Sequence, residues 1–255
     1  METPPLAERA AALLLAAWGP SGRPLSGWDE ALRPHSFAEA YAIQDAVTRA
    51  RGPLGGWKVG APSPQAVPLC APMYRSGLSL SPATLSDRDF RVRGVEAEVA
   101  FSFVRALPPR RTPYGREEVL DAVGTAHAGL ELIESRYADA SSLDAFSAVA
   151  DSQGHRGYVL GPALADWRRL DVWALPVRLL VNGQPAVERV GGNTSGDGFR
   201  LLVWLANEGS VRLGGLRSGD VVTTGSTTGL TLVPSGAQVE ARFVGLGEAA
   251  LRFVR

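Results

Sequence analysis

Glu96 and Glu98 stand one residue apart in Val95-Glu96-Ala97-Glu98-Val99-Ala100-Phe101, a segment otherwise apolar. Read as a strand, its alternation puts Val95, Ala97, Val99 and Phe101 on one face and both glutamates, with Ala100, on the other. Neighbours on one strand face lie about 6.5–7 Å apart, and half-buried carboxylates that close repel unless a cation or basic group lies between them. Glu131 follows 33 residues after Glu98, inside a second apolar segment, Leu130-Glu131-Leu132-Ile133. Three carboxylates with water suit a hard cation, Mg²⁺ or Mn²⁺, whereas zinc would want His or Cys and none is placed for it. Glu96, Glu98 and Glu131 are the candidate metal ligands. The alternative is that each is a solvated surface glutamate.

Lys58 lies in Gly56-Trp57-Lys58-Val59-Gly60, a strand too short to need a lysine for solubility. A divalent ion held by three glutamates is still net negative, so an anionic substrate needs a nearby cation. A buried lysine also shifts its pKa readily and can transfer protons. Its competing role is an edge-strand lysine that blocks aggregation. Asp151, after Ala148-Val149-Ala150, is either an acid supporting the site or a turn former, the commoner use of Asp there. Gly225-Ser226-Thr227-Thr228-Gly229 offers hydroxyls and backbone N–H groups to a carboxylate but lacks the lysine and spacing of a phosphate loop. The glycine-rich stretch 191–198 reads as a flexible loop. His127 falls near an expected helix end, and His35 and His155 fall in expected loops. Cys70 has no basic neighbour and reads as a buried, inert thiol.

The elements that must position these residues begin with a helix in which Leu6, Ala10, Leu13, Leu14 and Ala17 recur at spacings of three and four, ending at Gly19-Pro20. A second helix starts at Ser36, an N-cap with Glu39 at capping-box spacing, and stops near Gly52-Pro53. Residues 62–82, rich in Pro and Ser, read as a long irregular loop, and 117–126 reads as a helix. Strands are expected at 158–160, 177–181, 221–224 and 239–244, with a tight turn at Asn182-Gly183 and a helix at 199–206. Helices first and short strands later make the chain α+β rather than doubly wound.

The 255 residues carry 26 basic and 26 acidic side chains with no basic block, which excludes nucleic-acid binding driven by phosphate neutralisation. A single cysteine excludes an internal disulfide framework. The nine-residue apolar run at 10–18 is too short to span a membrane and resembles a signal peptide poorly, so a cytoplasmic location is expected.

Taken in order, several motifs resemble the fumarylacetoacetate hydrolase superfamily, in its branch of 2-keto-4-pentenoate hydratases and 4-oxalocrotonate decarboxylases. They are Ala40-Tyr41-Ala42-Ile43-Gln44, Gly56-Trp57-Lys58-Val59-Gly60, the Glu96/Glu98 segment, Leu130-Glu131-Leu132-Ile133-Glu134-Ser135-Arg136, Val149-Ala150-Asp151, Trp204-Leu205-Ala206-Asn207 and Gly219-Asp220-Val221-Val222-Thr223-Thr224-Gly225-Ser226. The resemblance implies a β-rich mixed roll at 81–255 beside a small N-terminal α+β portion at 1–80, often assembled as a homo-oligomer or with a partner enzyme of the same pathway. It implies metal at Glu96, Glu98 and Glu131, catalytic roles for Lys58 and Asp151, and substrate contacts from Gly60 and from Ser226 or Thr227. The implied activity is a metal-dependent lyase on a small unsaturated 2-oxo or 2-hydroxydienoic acid, by hydration through a metal-stabilised enolate. The alternatives are a 4-oxalocrotonate-type decarboxylase and a metal-binding, non-catalytic partner subunit. An acylpyruvate-type C–C hydrolase would need a His–Glu pair, which only His35 with Glu39 could supply. After Asp151 the family usually continues Asn-Ala-Ser, whereas this chain has Ser152-Gln153-Gly154-His155, and 191–198 replaces a usual Gly-His-Pro stretch. The resemblance therefore speaks to reaction class and leaves the substrate open.

Overall fold

The first two helices form as their apolar spacing predicts. In a computed structural model, which describes residues 5–255, they are α1 (Leu6–Ala16) and α2 (Phe37–Arg51). Ser36 caps α2 by accepting from the Glu39 amide at 3.2 Å, while the Glu39 carboxylate accepts from the His35 amide at 2.7 Å, one residue outside the expected box. Gly52, at φ +103°, ends the helix.

The rest is mostly strand: β1 (Leu54–Gly60), β2 (Leu69–Tyr74), β3 (Leu78–Leu80), β4 (Ala83–Ser86), β5 (Gly94–Phe103), β6 (Val123–Ile133), β7 (His155–Leu160), β8 (Pro176–Val181), β9 (Gln184–Val190), β10 (Val221–Ser226), β11 (Thr231–Leu232), β12 (Gln238–Phe243) and β13 (Gly247–Val254). Three short helices interrupt them: α3 (Arg116–Leu120), α4 (Ala145–Ala150) and α5 (Phe199–Trp204), the last continuing as a π-turn over Leu205–Gly209. One sheet runs β2-β1-β10-β5-β6-β7-β3, with β11 also paired to β5, and a second runs β4-β13-β12-β8-β9. The architecture is α+β, mixed sheets with few helices.

The two sheets share the main core. Val95, Ala97, Val99 and Phe101 of β5 are buried with Val239, Ala241, Ala249 and Leu251 of β12 and β13. That removes the apolar face of β5 from water and leaves its glutamate face to the opposite side of the sheet. A smaller core joins α1, α2 and α4 through Ala10, Leu14, Ile43, Val47 and Val149. The Gln44 amide donates to Val149 O at 2.8 Å, so these helices buttress the chain just before Asp151. The division expected at residue 80 runs through the larger sheet, where β1 pairs with β10 and β3 with β7.

Two expected elements change. Residues 62–82 are not one irregular loop: 69–74 is a strand, and Pro72 is tolerated because β2 lies at the sheet edge. The helix expected at 117–126 stops at Leu120, and β6 begins at Val123 because pairing with β5 along its length outweighs local helical spacing. Asn182 (φ +52°) and Gly183 (φ +77°) form the expected tight turn, between β8 and β9. Among the described residues no helix is long and apolar enough to cross a membrane.

Candidate active site

Antiparallel pairing of β5 with β6 sets Glu96 directly opposite Glu131 and Glu98 opposite Gly129. One oxygen from each of Glu96, Glu98 and Glu131 lies within 4.8 Å of the others. The site depends on Gly129: a Cβ there would stand 2.1 Å from the Tyr158 hydroxyl, which reaches across β6 to within 3.3 Å of Thr223 Oγ1. Thr223 is brought in by β10 and donates its hydroxyl to Glu98.

Lys58 arrives from β1, beside Thr223 in the parallel β1–β10 pair. Its Nζ lies 2.7 Å from Glu131 Oε1, and His155 Nδ1, from the start of β7, lies 2.7 Å from that same oxygen. Burial works against charge on Glu131, but Lys58 and the His155 hydrogen bond overcome it and hold the carboxyl down at about 2. Burial alone would lower Lys58, and Glu131 with Glu98 outweigh it, so the ammonium stays charged above its usual range. Glu96 is pushed up to about 7 by burial and by Glu131, against the pull of Lys58. Glu98 is driven well above the carboxylate range by burial, then by Glu131 and Glu96. Burial also lowers His155, favouring its neutral imidazole.

Glu98 Oε1 and Glu131 Oε2 are buried and have no hydrogen-bond partner among the described residues. Orphaned carboxylate oxygens inside a sheet are rare and costly. A divalent cation on this all-oxygen donor set would satisfy both and relieve the repulsion that lifts Glu96 and Glu98, so the residues fit a hard metal ion.

A cavity of about 330 Å³ opens over the three glutamates, and Lys58, Gly60 and Ser226 also line it. Gly60 leaves one wall bare, since a Cβ there would meet only Gly225 Cα, at 3.9 Å. Thr227 does not line the cavity: its amide donates to Ala97 O at 2.9 Å, which turns the residue toward β5 while Ser226 faces inward. Asp151 is also outside it. At the C-terminus of α4 its carboxylate bonds the Arg136 guanidinium and accepts from Ser135 Oγ at 2.7 Å. The partners of its carboxylate, Ser135 and Arg136, lie on the segment after β6 and not in its own turn, so Asp151 matches the supporting acid rather than the turn former, and it stands away from the cavity over the glutamates.

Four further contributors come from the fold. His155 and Gln153 belong to a turn through the left-handed residues Ser152 and Gln153, at φ +52° and +53°, and no periodicity marks them. Thr223 becomes visible only through strand pairing. Thr194 lines the cavity because the 191–198 loop is clamped rather than free: Asn193 Nδ2 donates to Thr224 O at 2.7 Å and Thr194 Oγ1 to Ala61 O at 2.8 Å. His127 is in the middle of β6 rather than at a helix end, its ring bonded to Gly161 O and to Ser102 and Thr125 hydroxyls at 2.9 Å each. The Glu39 carboxylate accepts from the backbone of His35 and not from its ring, and both residues are exposed, away from the cavity lining. Burial pushes the Cys70 thiol up to about 12, an inert group.

The fumarylacetoacetate (FAA) hydrolase C-terminal family model matches residues 81–254. The chain is 29% identical over 265 residues to a 2-keto-4-pentenoate hydratase of Paraburkholderia xenovorans (strain LB400), covering 98% of this chain and 96% of the relative. It is 29% identical over 160 residues to a 4-oxalocrotonate decarboxylase of Pseudomonas putida, covering 63% and 60%. The solved 4-oxalocrotonate decarboxylase from Pseudomonas putida G7, complexed with magnesium and adipate, has the same fold, with a TM-score of 0.84 at 21% identity and complete coverage of both chains.

Proposed function

The chain belongs to the fumarylacetoacetate hydrolase family, and on that premise we propose that it is a divalent-metal-dependent lyase that hydrates a small unsaturated 2-oxo or 2-hydroxydienoic acid. The observation that carries this reading is the convergence of Glu96, Glu98 and Glu131 oxygens within 4.8 Å, with two orphaned and Lys58 on the third carboxylate. Relatives named hydratase along almost the whole chain support it.

Glu96, Glu98 and Glu131 would hold Mg²⁺ or Mn²⁺. Such an ion, when bound, supplies Lewis-acid polarisation of a 2-oxo group and its neighbouring carboxylate. Lys58 keeps Glu131 ionised and is, among the described residues, the single cation lining the cavity, so it draws the anionic substrate in and holds a proton at Nζ for transfer during tautomerisation. Ser226 and the bare wall at Gly60 orient the acid end. Val59, Pro62 and Leu69 limit water on the apolar side. Asp151 acts at one remove, holding Arg136, whose Nη1 donates to His155 O at 2.7 Å.

The test is incubation of purified protein and Mg²⁺ or Mn²⁺ with 2-hydroxypenta-2,4-dienoate, following loss of the dienol absorbance, and with 4-oxalocrotonate, following CO₂ release. Dienol consumption without CO₂ is expected, and Lys58→Met should lower kcat by about 10²-fold or more, the scale of general acid–base catalysis. Release of CO₂ without hydration would establish decarboxylation at the same site, the reading that the relatives named decarboxylase support. Metal binding with no turnover would identify a non-catalytic homologue. Full activity in Lys58→Met would remove the lysine from the mechanism.

A further inference from the structure

Of the three glutamates, the two that are buried are each held at one oxygen and left bare at the other. On Glu131, Lys58 Nζ and His155 Nδ1 both lie 2.7 Å from Oε1, while Oε2 has no partner among the described residues. On Glu98, the Thr223 hydroxyl donates to Oε2, while Oε1 has none. An ionised carboxylate only accepts, so His155 carries its proton on Nδ1. The ring is itself fixed: it is buried at the start of β7, and its own carbonyl accepts from Arg136 Nη1 at 2.7 Å. Lys58 lines the cavity over the glutamates and His155 does not, so His155 acts on the site through Glu131 alone.

We propose that His155 is a positioning residue that selects the cation: by holding Oε1 of Glu131 together with Lys58 it leaves only Oε2 to the ion, and so favours Mg²⁺ or Mn²⁺ over Ca²⁺. The inference rests on the reading of the three glutamates as a metal site. Ca²⁺ takes about six to eight oxygens in a flexible shell and often both oxygens of one carboxylate, whereas Mg²⁺ demands a regular octahedron. On Glu131 and Glu98 the two-oxygen mode would strip a buried donor of its acceptor, at the cost of an unpaired ammonium, imidazole N–H or hydroxyl. One oxygen per glutamate leaves room in an octahedron for the two oxygens of a 2-oxo acid and a water. Lys58 by itself holds Oε1 on a flexible stem, and the carboxylate of a substrate in the cavity competes for it. The imidazole is rigid, buried and out of the substrate's reach, so it keeps Glu131 oriented when the lysine is drawn away.

Calorimetric titration of the metal-free protein with Mg²⁺ and with Ca²⁺, in the absence of substrate, tests this without turnover. The wild-type protein is expected to bind Mg²⁺ more tightly than Ca²⁺. His155→Ala should weaken Mg²⁺ by about 10–100-fold, the scale of a residue that orients a metal ligand, and Ca²⁺ by less, so that the preference narrows or inverts. His155→Asn, whose Nδ2 donates from nearly the place of Nδ1, should restore the preference. A merely structural loss would weaken both ions by the same factor. Should His155→Ala fail to fold, Thr223→Val is read in its place: it frees Oε2 of Glu98, keeps the shape of the side chain and should narrow the preference in the same direction. If the wild-type protein binds Ca²⁺ as tightly as Mg²⁺, the inference falls and the metal site stands. The inference falls equally if the variant read weakens both ions alike or if His155→Asn behaves as His155→Ala. If neither ion binds the wild-type protein, both readings fall together.

Discussion

Two clusters of buried acids lie within a few residues of each other, and they are built in opposite ways. Asp151 and Arg136 are each about 1% exposed, as is Glu98, and Glu131 is fully buried. Around Asp151 donors are plentiful: Ser135 Oγ, the Arg136 amide and the Arg136 guanidinium all reach its carboxylate. The same guanidinium also donates to Glu134 O at 3.0 Å and His155 O at 2.7 Å and stacks 4.3 Å from the Trp18 ring. Around Glu98 there is one hydroxyl and one orphaned oxygen, and Glu131 keeps an orphan despite Lys58 and His155. Equal burial with unequal satisfaction separates a structural acid from one that awaits a ligand. The satisfied cluster fixes the turn that carries Gln153 and His155, and so supports the unsatisfied one.

The contrast is broken most directly by Arg136→Met. It strands Asp151 as an unpaired buried charge and should destabilise the protein by about 3–5 kcal/mol in urea unfolding. A loss below about 1 kcal/mol, the worth of an exposed pair, would show that this cluster does not hold the turn. In the other cluster, Glu98→Gln should leave the metal-free protein at least as stable, because burial and the neighbouring glutamates already work against a charge at this position. Its Mn²⁺ affinity should nevertheless fall by more than the ~10–100-fold typical of residues that only support a ligand. Unchanged affinity would remove Glu98 from the metal site.

The smallest expected effect is in pH. Mn²⁺ must displace a proton from Glu96, pushed up to about 7, and competes with protonation of Glu98, also driven up, so affinity should weaken by about tenfold or more between pH 8 and pH 6. In the metal-free protein Glu96 keeps a proton that the unfolded chain sheds near its ordinary value of 4.5, so its contribution to stability falls as pH rises from there to about 7. Glu131 behaves oppositely: its contribution is full above the ordinary carboxylate range and is lost as pH falls toward about 2. Thermal melts with and without Mn²⁺ should therefore diverge more at pH 8 than at pH 6. Equal divergence at both would mean that Glu96 does not share the cation.

Legibility follows the range of the interactions. Glu96 and Glu98 are readable because side-chain direction in a strand depends only on the parity of position. Lys58 stands out between glycines, and the helix caps at Ser36 and Gly52 are readable because capping is local. The strand at 69–74 is hidden by Pro72, and β6 by a helix-like spacing at 117–126, because edge position and partner strands lie outside any sequence window. Sequence groups Thr227 with Ser226, and only the hydrogen bond to Ala97 O distinguishes them.

By itself, then, the sequence determined the α+β class, the shared face of Glu96 and Glu98, and the need for a cation among carboxylates in apolar strands. Tertiary structure decided that Glu131 lies opposite Glu96, that Lys58 and His155 share one oxygen of Glu131, and that Asp151 belongs to Arg136. The physical reason is that local periodicity orients a side chain relative to its own strand, whereas strand register and the paths of connecting turns choose which side chains meet, and those depend on the packing of the whole chain.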